Sequence, residues 1–209
     1  MHWRVVPIYK MTKAHFIPNL LTLLRILLTP LFLYFLFNKY PFFEIFALLI
    51  FIIAALTDAY DGYYARKYSS VTRIGKFLDP LADKILMSAA FISFQIIGLI
   101  PLWMVTLVIT RDFVVTGLRI LISSRGGSMI TRKSAKIKTG LQIGVVCFFL
   151  AYLITQRWKI FFGIADYVSM IERWHLLKIT MFIVTVFTVW TGIEYLIINR
   201  KEIVAVFRP

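Results

Sequence analysis

Acidic residues are scarce. Of 209 residues ten are Asp or Glu, against twenty-four Lys and Arg, and the formal net charge is +14. A surplus of that sign points to anionic lipid head groups and to topology signals at a membrane surface, not to nucleic acid as a partner. Cysteine is nearly absent: the single Cys147 lies in an apolar run and permits no internal disulfide, so it says little about redox compartment. No internal repeat or low-complexity tract is visible. No small-residue cleavage site follows the first apolar run, so insertion by the first spanning helix is expected instead of a removed leader. The three histidines, His2, His15 and His175, lie at segment ends without the spacing of a metal site and read as interfacial. What abounds is apolar. Hydrophobic residues make up 60% of the chain and the mean hydropathy is +0.80, against the roughly 45–50% apolar usage of soluble domains. This is the composition of a polytopic membrane protein.

The apolar runs predict an all-α fold, a single domain over residues 1–209 with six transmembrane helices at about 19–37, 42–65, 79–98, 102–122, 138–156 and 175–198. Residues 1–18 mix Trp3, Tyr9 and Phe16 with Arg4, Lys10 and Lys13 and read as an interfacial segment; residues 199–209 form a tail. The aromatic, amphipathic stretch 157–174 reads as an interfacial helix on the outer surface. Most Lys and Arg fall at the N-terminus, after helices two and four, and at the C-terminus, so the positive-inside rule makes both termini cytoplasmic.

Four of the ten acids fall in one stretch. Asp58 and Asp61 close the second apolar run, and Asp79 and Asp83 open the third, on the cytoplasmic side. A carboxylate at the edge of a membrane helix marks function by default. Asp58 and Asp61 are i, i+3, with Ala65 and Arg66 continuing that face. Asp79 and Asp83 are i, i+4, and Gly75 extends their face if the helix starts early; Pro80, which fits best in a first turn, puts that start within a turn of Asp79. Two such faces would gather four carboxylates around one point. Unscreened they repel one another and hold on to a proton, whereas Mg²⁺ or Mn²⁺ removes the repulsion and prefers hard oxygen ligands. The plain alternative is a solvated helix-end cluster paired with Arg66, Lys67, Arg73, Lys76 and Lys84.

The stretch resembles, position for position, the signature of the CDP-alcohol phosphotransferase family, D-x2-D-G-x2-A-R-x8-G-x3-D-x3-D. Asp58, Asp61, Gly62, Ala65, Arg66, Gly75, Asp79 and Asp83 supply all eight fixed positions. The resemblance implies that Asp58, Asp61, Asp79 and Asp83 hold one or two divalent ions against a nucleotide diphosphate. It also implies that Asp83 is the catalytic base for an acceptor hydroxyl. Gly62, Ala65 and Gly75 would let the CDP-linked donor approach the helices, and Arg66 would meet its diphosphate. Asn19, Thr22 and Arg25 open the first helix as N-x2-T-x2-R on one face. On the residues alone they read equally as a cap with a snorkelling arginine or as a functional polar face; the resemblance implies that Asn19 and Thr22 join the donor site.

Arg111 and Asp112 stand in the middle of the fourth apolar run, where a charge costs at least ~2.5 kcal/mol on insertion scales. They read either as a local ion pair or, with Arg119, Lys136 and Lys138, as a basic pocket for a small phosphate-bearing acceptor. Arg125, Arg132 and Lys133 read as topology signals. R-D-F-x4-L-R and K-I-K-T-x-L-Q are similar to the phosphatidylglycerophosphate synthase branch of the family, with Asp112 and Ala135 departing from its usual glutamate and glycine. That branch implies CDP-diacylglycerol as donor, sn-glycerol 3-phosphate as acceptor, CMP as leaving group, a bacterial inner or plasma membrane location and a homodimer. Inositol phosphate, serine or phosphatidylglycerol are the rival acceptors. A cation transporter is the rival class, although acids gathered at one membrane face, with glycines at fixed spacing, do not resemble an ion path at the midplane. Glu194, deep in the last run, has no partner legible in the sequence.

Overall fold

A computed structural model describes the backbone of residues 8–38, 40–68, 75–125, 127, 129–130, 133–159 and 163–207. It describes the side chains of these except residues 8–22, 58–68, 75–81, 83, 133 and 206–207. Every regular element among the described residues is helical: α1 Ile8–Phe37, α2 Phe43–Tyr68, α3 Gly75–Ile96, α4 Leu102–Ser124, α5 Lys133–Trp158, α6 Ala165–Arg173, α7 Leu176–Ile198 and α8 Arg200–Phe207. Helices dominate because long apolar runs in hydrocarbon must satisfy every backbone N–H and C=O within the segment.

α1 packs on α2 and α3, α5 bridges α2, α3 and α7, and α4 lies against α3, α7 and α8. Aromatic pairs lock these crossings. Phe32 of α1 meets Phe51 of α2 at 6.0 Å, and Phe94 of α3 meets Phe149 of α5 edge-on at 5.1 Å. Such pairs contribute about 0.5–1.5 kcal/mol beyond area burial. Ala47 and Ala54 of α2 are fully buried, and small side chains let neighbouring helices approach without a hydrophobic driving force. The outer surface is apolar as well: Leu27 and Leu31 of α1, Leu49 and Ile53 of α2, and Ile183 and Trp190 of α7 are all exposed. Among the described residues two helices, Ser134–Trp158 and Leu176–Ile198, are long and apolar enough to cross a membrane.

Three expectations are revised. The first helix does not begin at about residue 19, because α1 is continuous from Ile8 through Pro18 to Phe37. The 157–174 stretch is not one helix: α5 continues through Trp158, and α6 begins only at Ala165 after Gly163, whose φ of 64° suits a residue without Cβ. α3 begins at Gly75, a little over a turn before Asp79, which leaves Pro80 inside the helix. A proline there withholds the N–H that the Lys76 carbonyl would otherwise accept. His175, at φ 49°, turns the chain from α6 into α7.

Candidate active site

The motif acids lie on regular helix. Asp58 and Asp61 stand in the last three turns of α2 and Asp79 and Asp83 in the first turns of α3. The six residues between these helices can span at most roughly 25 Å, so both acid pairs belong to one end of the bundle. The early start of α3 puts Gly75, Asp79 and Asp83 at i, i+4 and i+8 on one helical stripe. Asn19 and Thr22 lie on α1, and Gly62, Ala65 and Arg66 on α2. The side chains of all these residues fall outside the described set. Among the described residues no group of three or more His, Cys, Asp or Glu gathers as a metal site would. As a donor set, four carboxylates on two helix stripes fit a hard divalent cation.

The side chains of Arg111, Arg119, Lys136 and Lys138 are described, and Arg111 and Lys138 join a network where α4, α5 and α7 meet. Lys138 Nζ of α5 donates to Asp112 Oδ1 of α4 at 2.6 Å. Arg111 donates to the same oxygen at 3.0 Å, and through its other terminal nitrogen to Thr191 Oγ1 of α7 at 3.1 Å. Gln142 donates to Asp112 Oδ2 at 3.2 Å. Arg111 and Asp112 are thus a local ion pair, and Lys138 joins them. One buried carboxylate serves two cations, so the cluster carries an excess positive charge. In a low dielectric that excess strongly favours an anion.

Arg119 sits two turns farther along α4. Its Nε donates to Tyr195 Oη at 3.4 Å, and its guanidinium lies 5.6 Å from that ring's centroid. Lys136 is exposed and stays out of the network. Lys84 was not foreseen in a functional role. It follows Asp83 on α3 and lies within electrostatic range of both Asp112 and Lys138, so the basic cluster adjoins the acid motif. Gln142 and Thr191 were missed as well. Each is a polar residue on an apolar face, and only its partner on another helix gives it meaning. Glu194 has a partner: Ser134 of α5 donates to its Oε2 at 2.9 Å. Nearby, Asn199 clamps the backbone of Ile130 with both ends of its amide.

Comparison with known proteins gives a consistent picture. The CDP-alcohol phosphatidyltransferase family matches residues 15–190. A Bacillus subtilis protein named CDP-diacylglycerol--glycerol-3-phosphate 3-phosphatidyltransferase is 37% identical over 191 residues, 86% of this chain and 92% of its own length. A Salmonella paratyphi A protein of the same name is 32% identical over 195 residues, covering 90% and 96% of the two chains. A Mycobacterium tuberculosis probable phosphatidylglycerophosphate synthase is 37% identical over 135 residues, 63% of this chain and 64% of its own.

Proposed function

The chain belongs to the CDP-alcohol phosphatidyltransferase family, and from that premise we propose that it transfers the phosphatidyl group of CDP-diacylglycerol to sn-glycerol 3-phosphate, giving phosphatidylglycerol phosphate and CMP. The relatives named for this reaction over nearly their whole length support the acceptor. The observation that carries it on this chain is the buried Arg111–Asp112–Lys138 cluster, whose positive excess adjoins the acid motif through Lys84. A neutral acceptor such as serine offers that cluster nothing to neutralise it.

Each residue set has its task. Asp58, Asp61, Asp79 and Asp83 hold one or two Mg²⁺ or Mn²⁺ ions at the diphosphate. When bound, the metal neutralises charge that develops on the phosphate oxygens and on departing CMP. Asn19, Thr22 and Arg66 bind the donor's polar head, while Gly62, Ala65 and Gly75 leave room for it. Arg111, Arg119 and Lys138 bind the acceptor phosphate, with Arg offering a fork and Lys a point charge, and exposed Lys136 adds positive charge near the start of α5. The acceptor hydroxyl gives its proton to Asp83, and its oxygen bonds to the phosphatidyl phosphorus. The bond from that phosphorus to the bridging oxygen breaks, and CMP leaves with the electron pair.

The same reading makes residues 1–209 one membrane domain with six spans, α1 to α5 and α7, and with both termini and the active site cytoplasmic. The protein would sit in a bacterial inner or plasma membrane as a homodimer. The test is CMP release by purified protein in detergent with CDP-diacylglycerol and Mg²⁺, comparing glycerol 3-phosphate, inositol phosphate, serine and phosphatidylglycerol. Turnover with glycerol 3-phosphate alone, abolished by chelator and by Asp83→Asn, is expected. Turnover with another acceptor would keep the donor half and overturn the acceptor assignment.

A further inference from the structure

The inward stripe of α7 is polar. Thr185, Thr188, Thr191, Tyr195 and, just past the helix end, Asn199 are all buried, at steps of three and four residues. Two of these side chains meet arginines of α4: Thr191 meets Arg111, and Tyr195 meets Arg119. A hydroxyl has one hydrogen to give and lone pairs with which to accept. Thr191 gives its hydrogen to the Thr188 carbonyl at 2.9 Å, so a lone pair faces Arg111. Tyr195 Oη gives its hydrogen to Met129 Sδ at 3.0 Å, so a lone pair faces Arg119 Nε, 3.4 Å away. The sulfur is held in turn. Its neighbour Ile130 donates its N–H to Asn199 Oδ1 at 3.0 Å, and its carbonyl accepts from Asn199 Nδ2 at 3.4 Å. Asn199 lies one turn beyond Tyr195 and donates to the Tyr195 carbonyl at 2.9 Å. The end of α7 therefore fixes both partners of the bond that orients the Tyr195 hydroxyl.

Arg119 is the arginine left open. It follows Asp112 by seven residues and shares the stripe of α4 on which Asp112, Val115 and Ile122 are buried. The outward side of the helix is marked by Phe113, Val114 and Gly117, which are exposed. The Arg119 head thus lies on the inner side, against buried Tyr195, and yet the residue is exposed. Only its Nε is engaged. Among the described residues the two terminal nitrogens meet no protein acceptor, whereas both of those of Arg111 do. A free guanidinium fork matches two oxygens of one phosphate.

We propose that Tyr195 is a positioning residue for Arg119: its hydroxyl holds Nε and so aims the open fork at the phosphate of the acceptor. The proposal rests on the acceptor reading given above. A lipid head-group phosphate offers the same oxygens, and the place of the fork on the inner side of α4 favours the soluble acceptor.

Steady-state CMP release in mixed micelles, with each substrate varied in turn, tests this. Tyr195→Phe removes the hydroxyl and keeps the ring, whose centroid lies 5.6 Å from the Arg119 guanidinium. KM for glycerol 3-phosphate should rise about three- to tenfold, the range of one hydrogen bond. The kcat and the KM for CDP-diacylglycerol should change by less than about twofold. Met129→Leu leaves Tyr195 whole but frees its hydroxyl to turn, and should raise the same KM by less. Arg119→Met should raise it further than Tyr195→Phe does, and Tyr195→Phe added to Arg119→Met should change nothing more, because no fork is then left to aim. An unchanged KM for glycerol 3-phosphate in Tyr195→Phe would overturn the proposal. So would independent effects in the double variant, or a fall in kcat matched by a fall in folded protein, which would make Tyr195 structural only. A rise confined to the KM for CDP-diacylglycerol would give the fork to a lipid phosphate and overturn it as well. Unaltered protein that releases CMP with serine and not with glycerol 3-phosphate would instead overturn the acceptor reading itself, an outcome seen before any variant is made.

Discussion

Asp112 is the residue on which the basic cluster depends, since it accepts from Lys138, Arg111 and Gln142 at once. Asp112→Ala leaves two cations without their carboxylate, and removal of one partner from a buried ionic group destabilises by about 3–5 kcal/mol. A melting curve in detergent should show that loss, and Asp112→Glu, which keeps the charge, should avoid most of it. Gly192 of α7 offers a gentler probe. A Cβ there would meet Arg111 Cγ at 2.8 Å and Nε at 3.0 Å, striking the stem of the side chain and not its mobile tip. Gly192→Ala must therefore move Arg111 off Thr191. A hydrogen bond to a charged group contributes about 1.5–3 kcal/mol, so KM for glycerol 3-phosphate should rise by about an order of magnitude with kcat changed less. Equal falls in kcat and in folded protein would mean that Arg111 is structural only. The sequence made Arg111 and Asp112 conspicuous as charges in an apolar run, and Lys138 as part of the basic stretch that leads into the fifth. That Lys138 and Gln142 converge on Asp112, and that Ser134 answers Glu194, depends on how α4, α5 and α7 turn toward one another, which spacing along one helix does not encode.

At the scale of elements, apolar run length was enough to locate α4, α5 and α7 to within a few residues of their observed ends. It failed where backbone chemistry and tertiary support disagree. The first helix was expected from about residue 19 and the third within a turn of Asp79, yet α1 runs on through Pro18 from Ile8 and α3 starts at Gly75. At the other end of the bundle, the start of α2 is tied to the end of α5 by Glu44 and Arg157, and Glu172 of α6 accepts from Tyr152 and Gln156 of α5. None of these ties was legible, because each joins segments far apart in sequence. Arg157 is 32% exposed and Glu44 only 8% at the side chain, so the pair is worth more than a surface bridge and less than a fully buried one. Arg157→Ala should reduce stability by about 1–2 kcal/mol. Adding Glu44→Gln should recover part of that loss in the same melting assay, since no buried carboxylate is then left uncompensated. Additive losses would mean that the two ends are coupled by packing and not by charge.

The whole molecule has a direction that both charge and connectivity define. α5 ends at Trp158 and α7 begins at Leu176, so the short amphipathic α6 between these two apolar helices lies at one face of the bundle. α8 follows α7 at the opposite face and packs against α4, where a Cβ on Gly127 would lie 3.5 Å from Glu202 of α8. That second face carries Arg125, Lys136, Arg200 and Lys201, and it is the cytoplasmic face in the proposed topology. Asp58 and Asp61 lie at the end of α2 away from Glu44, and Glu44 pairs with the α6-side end of α5. The acid motif thus shares the basic, α8 face, where soluble glycerol 3-phosphate could reach it. In a Cys147→Ser background, a membrane-impermeant thiol reagent applied to intact cells should label Asp166→Cys on α6, which is exposed. It should label Lys201→Cys on α8 only after the cells are opened. The reverse pattern would put the acids and the acceptor pocket outside the cell, away from any cytoplasmic supply of nucleotide donor, and no assignment of the six spans could then rescue the proposed reaction.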